Sequence, residues 1–163
     1  TDFAKENIFN VLNGYMDLED ASALDLFAGT GSITLEMLSR GCADVTSVEM
    51  DRDHASFIRQ CLQKLGDEDC SLIRGDVFRF LKSCKRKYDL IFADPPYALP
   101  DLSKIPDLVL RKNAEECLLK EGGIFVFEHG KHNDFSQHPC FIEHRSYGSV
   151  NFSLFRAWKE EEQ

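Results

Sequence analysis

Apolar positions along this chain switch repeatedly between helical and strand-like spacing. From residue 2 to 13, Phe3, Ile8, Phe9, Val11 and Leu12 recur near helical period, which predicts an amphipathic helix capped by Thr1 or Asp2. Residues 23–27 read as a short apolar strand running into Ala28-Gly29-Thr30-Gly31. Residues 32–40 predict a helix that stops at Gly41, a natural residue just past a helix end. The alternation continues with a strand over 44–50, a helix over 52–64 ending before Gly66, and a strand over 71–73 leading to Gly75-Asp76. A short helix over 77–84, a strand over 88–93, a helix over 105–120 and a strand over 124–127 after Gly122-Gly123 follow.

Strand–helix alternation with short connections predicts a parallel sheet covered by helices on both faces. The last segment departs from that rule. Residues 141–147 and 150–158 are two strand-like runs separated only by Gly148-Ser149, which forces an antiparallel hairpin. The predicted fold class is therefore α/β, a seven-stranded, mostly parallel sheet ending in an antiparallel hairpin. Residues 1–163 read as one domain, with no repeats, low-complexity segments or internal linkers.

Composition narrows the setting. No apolar run approaches a membrane span, and no charged-then-apolar leader opens the sequence. The six cysteines are scattered, without C-x-x-C or zinc spacing, so reduced cysteines in the cytoplasm are expected. No metal-ligand cluster is visible. The net charge of −9 argues against a nucleic-acid partner, which calls for a basic surface. Charge is uneven, however: Arg79, Lys82, Lys85, Arg86 and Lys87 form one basic run, and Lys104, Arg111 and Lys112 another. The plainer reading of both is a solvated helix face. Glu160, Glu161 and Glu162 read as an acidic tail.

Candidate chemistry lies at the strand ends. Asp94-Pro95-Pro96-Tyr97 follows the fourth strand. Two prolines make a stiff loop that continues neither sheet nor helix. A carboxylate, an unpaired carbonyl and a flat ring suit a planar NH2-bearing group: two acceptors for its N–H bonds and a face to stack on. A simple turn with Tyr97 as packing is the plainer alternative. At the first strand's end, Gly29 and Gly31 allow a tight turn close to a ligand. Thr34 leaves the dinucleotide pattern Gly-x-Gly-x-x-Gly incomplete, and no phosphate-loop Lys follows. Glu49 ends the second strand, where an acid can accept both hydroxyls of a ribose, and Asp76 follows the third, placed for an adenine amine. Each is weak alone. Together they line the carboxyl edge, where open α/β sheets bind ligands.

These residues resemble the class I S-adenosylmethionine-dependent methyltransferases, a Rossmann-like fold. Asp-x-x-x-Gly-x-Gly at 25–31, Glu49 and Asp76 match the cofactor motifs, and the hairpin matches the reversed last strand. Asp94-Pro95-Pro96-Tyr97 is similar to the loop of amino-group N-methyltransferases. The finer resemblance is to the RsmD family, carried by residues 1–12, 25–31, 48–52, 94–97 and 147–148. It implies methylation of a guanine N2 in 16S ribosomal RNA or the assembling small subunit, with S-adenosylmethionine and no metal. It implies a catalytic set of Asp94, Pro95, Pro96 and Tyr97, and a cofactor set of Asp25, Phe27, Ala28, Gly29, Thr30, Gly31, Glu49, Met50, Asp76 and Val77. Family members usually carry a basic N-terminal hairpin ahead of Thr1. Nothing in the sequence calls for more than a monomer.

Other readings share parts of this pattern. Adenine-N6 methylases of DNA or RNA and protein glutamine-N5 methylases use the same loop chemistry but more often carry Asn where Asp94 stands. A non-catalytic cofactor-binding module for ribosome assembly has no use for an amine clamp. His129 follows the fifth strand on the same edge and is expected to satisfy a local hydrogen bond rather than to act in catalysis.

Overall fold

The computed structural model describes residues 2–66 and 68–160. The Thr1 cap and the tail residues Glu161 and Glu162 lie outside them. Seven strands form one sheet: β1 (Ser22–Leu26), β2 (Asp44–Glu49), β3 (Cys70–Arg74), β4 (Tyr88–Ala93), β5 (Leu119–His129), β6 (Phe141–Tyr147) and β7 (Val150–Arg156). Their order is β3-β2-β1-β4-β5-β7-β6. The first five run parallel, and β7 lies antiparallel between β5 and β6. The expected fold class is the observed one. No helix of the described residues is long and apolar enough to cross a membrane.

Helices α1 (Asp2–Leu12), α2 (Ser32–Ser39), α3 (Arg52–Leu65), α4 (Val77–Ser83) and α5 (Ile105–Leu110) cover the two faces. Successive residues of β4 point oppositely, as a strand requires. Leu90 and Phe92 join the core under α1 and α2, with Ile8, Phe9, Leu12 and Met37. Ile91 and Ala93 join the core under α4 and α5, with Leu81, Val109 and Leu110. Phe9 of α1 stacks on Phe92 at 5.8 Å between ring centroids, and Phe152 of β7 meets the same ring edge-on at 6.0 Å. These aromatic contacts fix α1 against the centre of the sheet.

Two expectations need correction. The helix expected over 105–120 ends at Leu110. Arg111 takes a left-handed φ of 57°, and its guanidinium donates to the carbonyls of Leu108 (2.6 Å), Leu81 (2.5 Å) and Cys84 (3.3 Å). It thereby satisfies carbonyls left over at the ends of α5 and α4. The segment beyond it buries Cys117 and Leu118 as a loop. The fifth strand accordingly starts at Leu119, not 124. Gly122 and Gly123 sit inside it, at a register shift against β4. A Cβ on Gly123 would stand 2.9 Å from the Asp89 carbonyl and 2.8 Å from that of Lys120, so glycine permits the irregularity.

The basic runs are partly structural. Arg86 pairs with Asp44 and lies 4.7 Å over the Tyr88 ring, and the Lys87 ammonium donates to the Ala114 carbonyl. None of the six cysteines, all among the described residues, is in a disulfide.

Phe9→Ala removes a fully buried ring from the seam between α1 and β4. It is expected to lower unfolding free energy by about 3–5 kcal/mol in denaturant titration. A loss under about 1 kcal/mol would show that this seam does not hold α1.

Candidate active site at the carboxyl edge of the sheet

β1 and β4 end opposite one another, with Leu26 beside Ala93. Past Leu26 the chain turns sharply through Phe27, at a left-handed φ of 61°, then Gly29 (56°) and Gly31 (84°). A left-handed phenylalanine is costly, and such strain concentrates where a loop must meet a ligand. A Cβ on Gly31 would stand 3.0 Å from the Ile58 side chain. This glycine is therefore needed for packing as well as for φ.

Glu49 ends β2 and reaches across to this turn. Its Oε1 accepts the Gly29 N–H at 2.7 Å and its Oε2 the Asp51 N–H at 2.8 Å. The sequence pointed to ribose hydroxyls as its partners. A carboxylate has about four acceptor sites, so two amides fix its position and leave lone pairs for a ligand. Asp76 caps α4 by accepting the Arg79 N–H at 3.1 Å. Met50 holds its apolar side chain 66% exposed beside this edge, while Val77 is buried beneath it. Ala28 is buried and Thr30 exposed.

Asp25 is fully enclosed. Its Oδ2 accepts the Thr34 hydroxyl at 2.7 Å, and its Oδ1 has no partner among the described residues. Burial pushes its carboxyl up to about 7, the Thr34 bonds oppose this, and the Glu49 charge adds to it. An orphaned buried acceptor next to a glycine turn fits a cationic ligand that brings a donor or a positive charge.

Across from this turn, the Asp94 N–H donates back to the Leu26 carbonyl at 3.4 Å, and the Pro96 carbonyl accepts the Leu99 N–H at 3.0 Å. The Pro95 carbonyl accepts no hydrogen bond among the described residues. Tyr97 is half-exposed, and its hydroxyl donates to Glu128 Oε2 at 2.5 Å. Asp94 stands open at the cleft mouth, yet protein crowds it from behind. That desolvation, followed by a hydrogen bond to Glu128 and the charges of Glu128 and Asp25, pushes its carboxyl up to about 8. Burial and the Glu128 bond raise the Tyr97 phenol strongly. Asp94, Glu128, Phe92, Ser32 and the first turn of α1, through Asp2 and Lys5, enclose a cleft of about 130 Å³. A larger groove of about 390 Å³ between α3 and β3 contains one carboxylate, Glu68.

The structure thus brings Asp25, Phe27, Gly29, Gly31, Glu49, Asp94 and Tyr97 to one edge. Two contributors escaped sequence reasoning. Glu128 follows the apolar core of strand five and carries no local signal that sets it apart. The first turn of α1 read only as an amphipathic start. His129 is 1% exposed; its Nδ1 donates to the Gly130 carbonyl at 2.8 Å and its Nε2 accepts the Ser153 hydroxyl at 2.7 Å. It is a satisfied core histidine, as expected, and burial lowers its pKa.

Asp25 makes stability pH-dependent. Its folded pKa lies above the ordinary 3.8, so the folded state holds the proton more tightly. Its contribution is full below pH ~4 and is lost as pH rises through about 7. Asp25→Asn, which cannot ionise, should flatten the fall in stability between about pH 4 and about pH 7. Parallel wild-type and variant profiles would contradict the assignment.

Comparison with known proteins adds an independent line. The family model described as Conserved hypothetical protein 95 matches residues 1–156. The chain is 36% identical over 161 residues to the ribosomal RNA small subunit methyltransferase D of Haemophilus influenzae, covering 95% of this chain and 80% of that protein. It is 28% identical over 113 residues to the protein of that name from Buchnera aphidicola, spanning 69% of this chain and 57% of the relative. Among solved structures, a candidate methyltransferase of Escherichia coli, yhhF, superposes with a TM-score of 0.83 at 25% identity, covering 98% of this chain and 87% of the other. Matches of this extent in sequence and in fold lead to one conclusion: the chain belongs to the Conserved hypothetical protein 95 family, the RsmD family of class I S-adenosylmethionine-dependent methyltransferases.

Proposed function

We propose that this protein transfers a methyl group to the exocyclic N2 of a guanine in small-subunit ribosomal RNA. The observation that carries the reading is the pairing of Asp94 with the unpartnered Pro95 carbonyl at the end of β4, across from the glycine turn. The names of the relatives, ribosomal RNA small subunit methyltransferase D, support the polymer. Asp rather than Asn at position 94 favours guanine over the amines of adenine or glutamine.

S-adenosylmethionine, held at the glycine turn, supplies a methyl already activated on a sulfonium. Gly29 and Gly31 would let the backbone come close to it, Glu49 would take the ribose hydroxyls and Asp76 the adenine amine. Met50 and Val77 would flank the adenine, and Asp25 would answer the positive charge with the oxygen that has no partner among the described residues. The remaining task is to prepare a poor nucleophile, because the N2 lone pair is delocalised into the guanine ring. The Asp94 carboxylate and the Pro95 carbonyl accept the two N–H bonds and favour a pyramidal nitrogen. Pro96 keeps the loop stiff. Tyr97 stacks on the base with its hydroxyl tied to Glu128. As the N–C bond forms and the C–S bond breaks to leave a neutral thioether, the Asp94 charge stabilises the positive amine, whose surplus proton then passes to Asp94 or to water, so placement and electrostatics provide most of the acceleration. A base inside a helix cannot enter this cleft, so the target is unpaired or flipped out.

The substrate test uses the whole protein with labelled S-adenosylmethionine, offered naked 16S RNA, partly assembled small subunits and DNA. Label is expected as N2-methylguanosine in RNA; label only in N6-methyladenine would overturn the reading. Asp94→Ala should lower transfer by about 10²–10³-fold with cofactor affinity nearly intact. Transfer near the wild-type rate would remove the clamp from the mechanism. The raised Asp94 pKa adds a pH signature. Below pH 8 the carboxyl is largely protonated and a weaker acceptor, so kcat/KM should climb as pH rises through about 8 and then level. Asp94→Asn should lose that climb.

A further inference from the structure

We propose that Glu128 selects the base at this site by accepting the N1–H of guanine while Asp94 takes the neighbouring N2–H. The inference rests on the guanine reading and deepens it. Parallel pairing of β4 with β5 sets Ala93 opposite Phe127, so Asp94 and Glu128 are the next residues out on adjacent strands. Both side chains line the same cleft and lie within hydrogen-bond reach of one another.

Two carboxyls side by side match one feature of guanine. Its N1–H and N2–H are adjacent donors on one edge. Adenine presents a donor and an acceptor there, so a second carboxylate would face the N1 lone pair. 2-Aminopurine keeps the C2 amine but also has a bare N1. A site built to accept a hydrogen bond rejects an analogue that cannot give it, because its own polar group is left unpaired.

The Tyr97 bond fixes which part of Glu128 meets the base. The hydroxyl occupies Oε2 at 2.5 Å, so the acceptor capacity that Glu128 shares with Asp94 in the empty site is what turns to the base. A Gln at this position could turn either its oxygen or its NH2 toward the cleft, because the Tyr97 hydroxyl both donates and accepts. Glu128→Leu instead removes the acceptor outright. Guanine N1–H and the bare N1 of 2-aminopurine then meet the same apolar side chain, and the distinction between them is lost.

The test first maps the methylated guanine in wild-type product, then uses RNA carrying guanine or 2-aminopurine there. Affinity for each is measured by competition with S-adenosylhomocysteine-loaded protein, which needs no turnover, and transfer rates are measured alongside. Wild type is expected to favour guanine by at least about tenfold, and Glu128→Leu to erase the ratio. Unchanged S-adenosylhomocysteine affinity in the variant shows an intact fold. A variant that keeps the wild-type ratio overturns this inference alone and leaves Asp94 as the acceptor of both donors. Wild-type product lacking N2-methylguanosine overturns the guanine reading, and this inference with it.

Discussion

Leu26 and Ala93 face each other at the last rung of the parallel pairing between β1 and β4, and both strands leave the sheet there. The same rank continues through Val48 of β2 and Phe127 of β5. One step further out stand Glu49, Asp94 and Glu128, while Phe27 leaves β1 at a left-handed φ and packs against the opposite core. Residues of one rank in a parallel sheet project to the same face. That single register places the acceptor carboxylates, the strained turn and the stiff proline loop together, on the face that α1 and α2 cover. A slip of one residue in β4 would move Asp94 to the opposite face. The aromatic seam of Phe9, Phe92 and Phe152 opposes such a slip by packing the β4 ring from two sides.

Crowding acids along one edge is unfavourable in the empty protein. Asp25 and Asp94 both have raised pKa values, first from desolvation and then from neighbouring acids. The arrangement makes sense for ligands that bring donors and positive charge, namely a sulfonium, an ammonium and a base amine that becomes cationic during reaction. It suits RNA phosphates poorly, consistent with the net charge of −9. Arg86, Lys87 and Arg111, read in sequence as parts of basic runs, are engaged in holding strands and helix ends.

The sheet was legible because strand–helix alternation and glycine positions are local signals, and Gly148-Ser149 left no room for anything but a hairpin. The helix beyond 110 was misread because residues up to 120 retain helix-compatible apolar spacing. What ends it is a contact, Arg111 against the carbonyls of Leu81 and Cys84, that no local pattern carries. The glycine turn and the Asp94 loop stood out through unusual residue types. Glu128 did not, because a glutamate after a strand is ordinary until Tyr97 is seen to bond it. The role of Glu49 in holding the Gly29 amide was likewise invisible, since it depends on a contact between β2 and the turn after β1.

In the proposed mechanism the Asp94 carboxylate and the Pro95 carbonyl together hold the amine to be methylated. The most direct measurement is a crystal structure of the protein with S-adenosylhomocysteine and an RNA fragment carrying the flipped target base. The exocyclic nitrogen is expected at about 2.7–3.2 Å from both an Asp94 oxygen and the Pro95 carbonyl, with Tyr97 stacked on the ring. A bound base whose amine contacts neither group would contradict it.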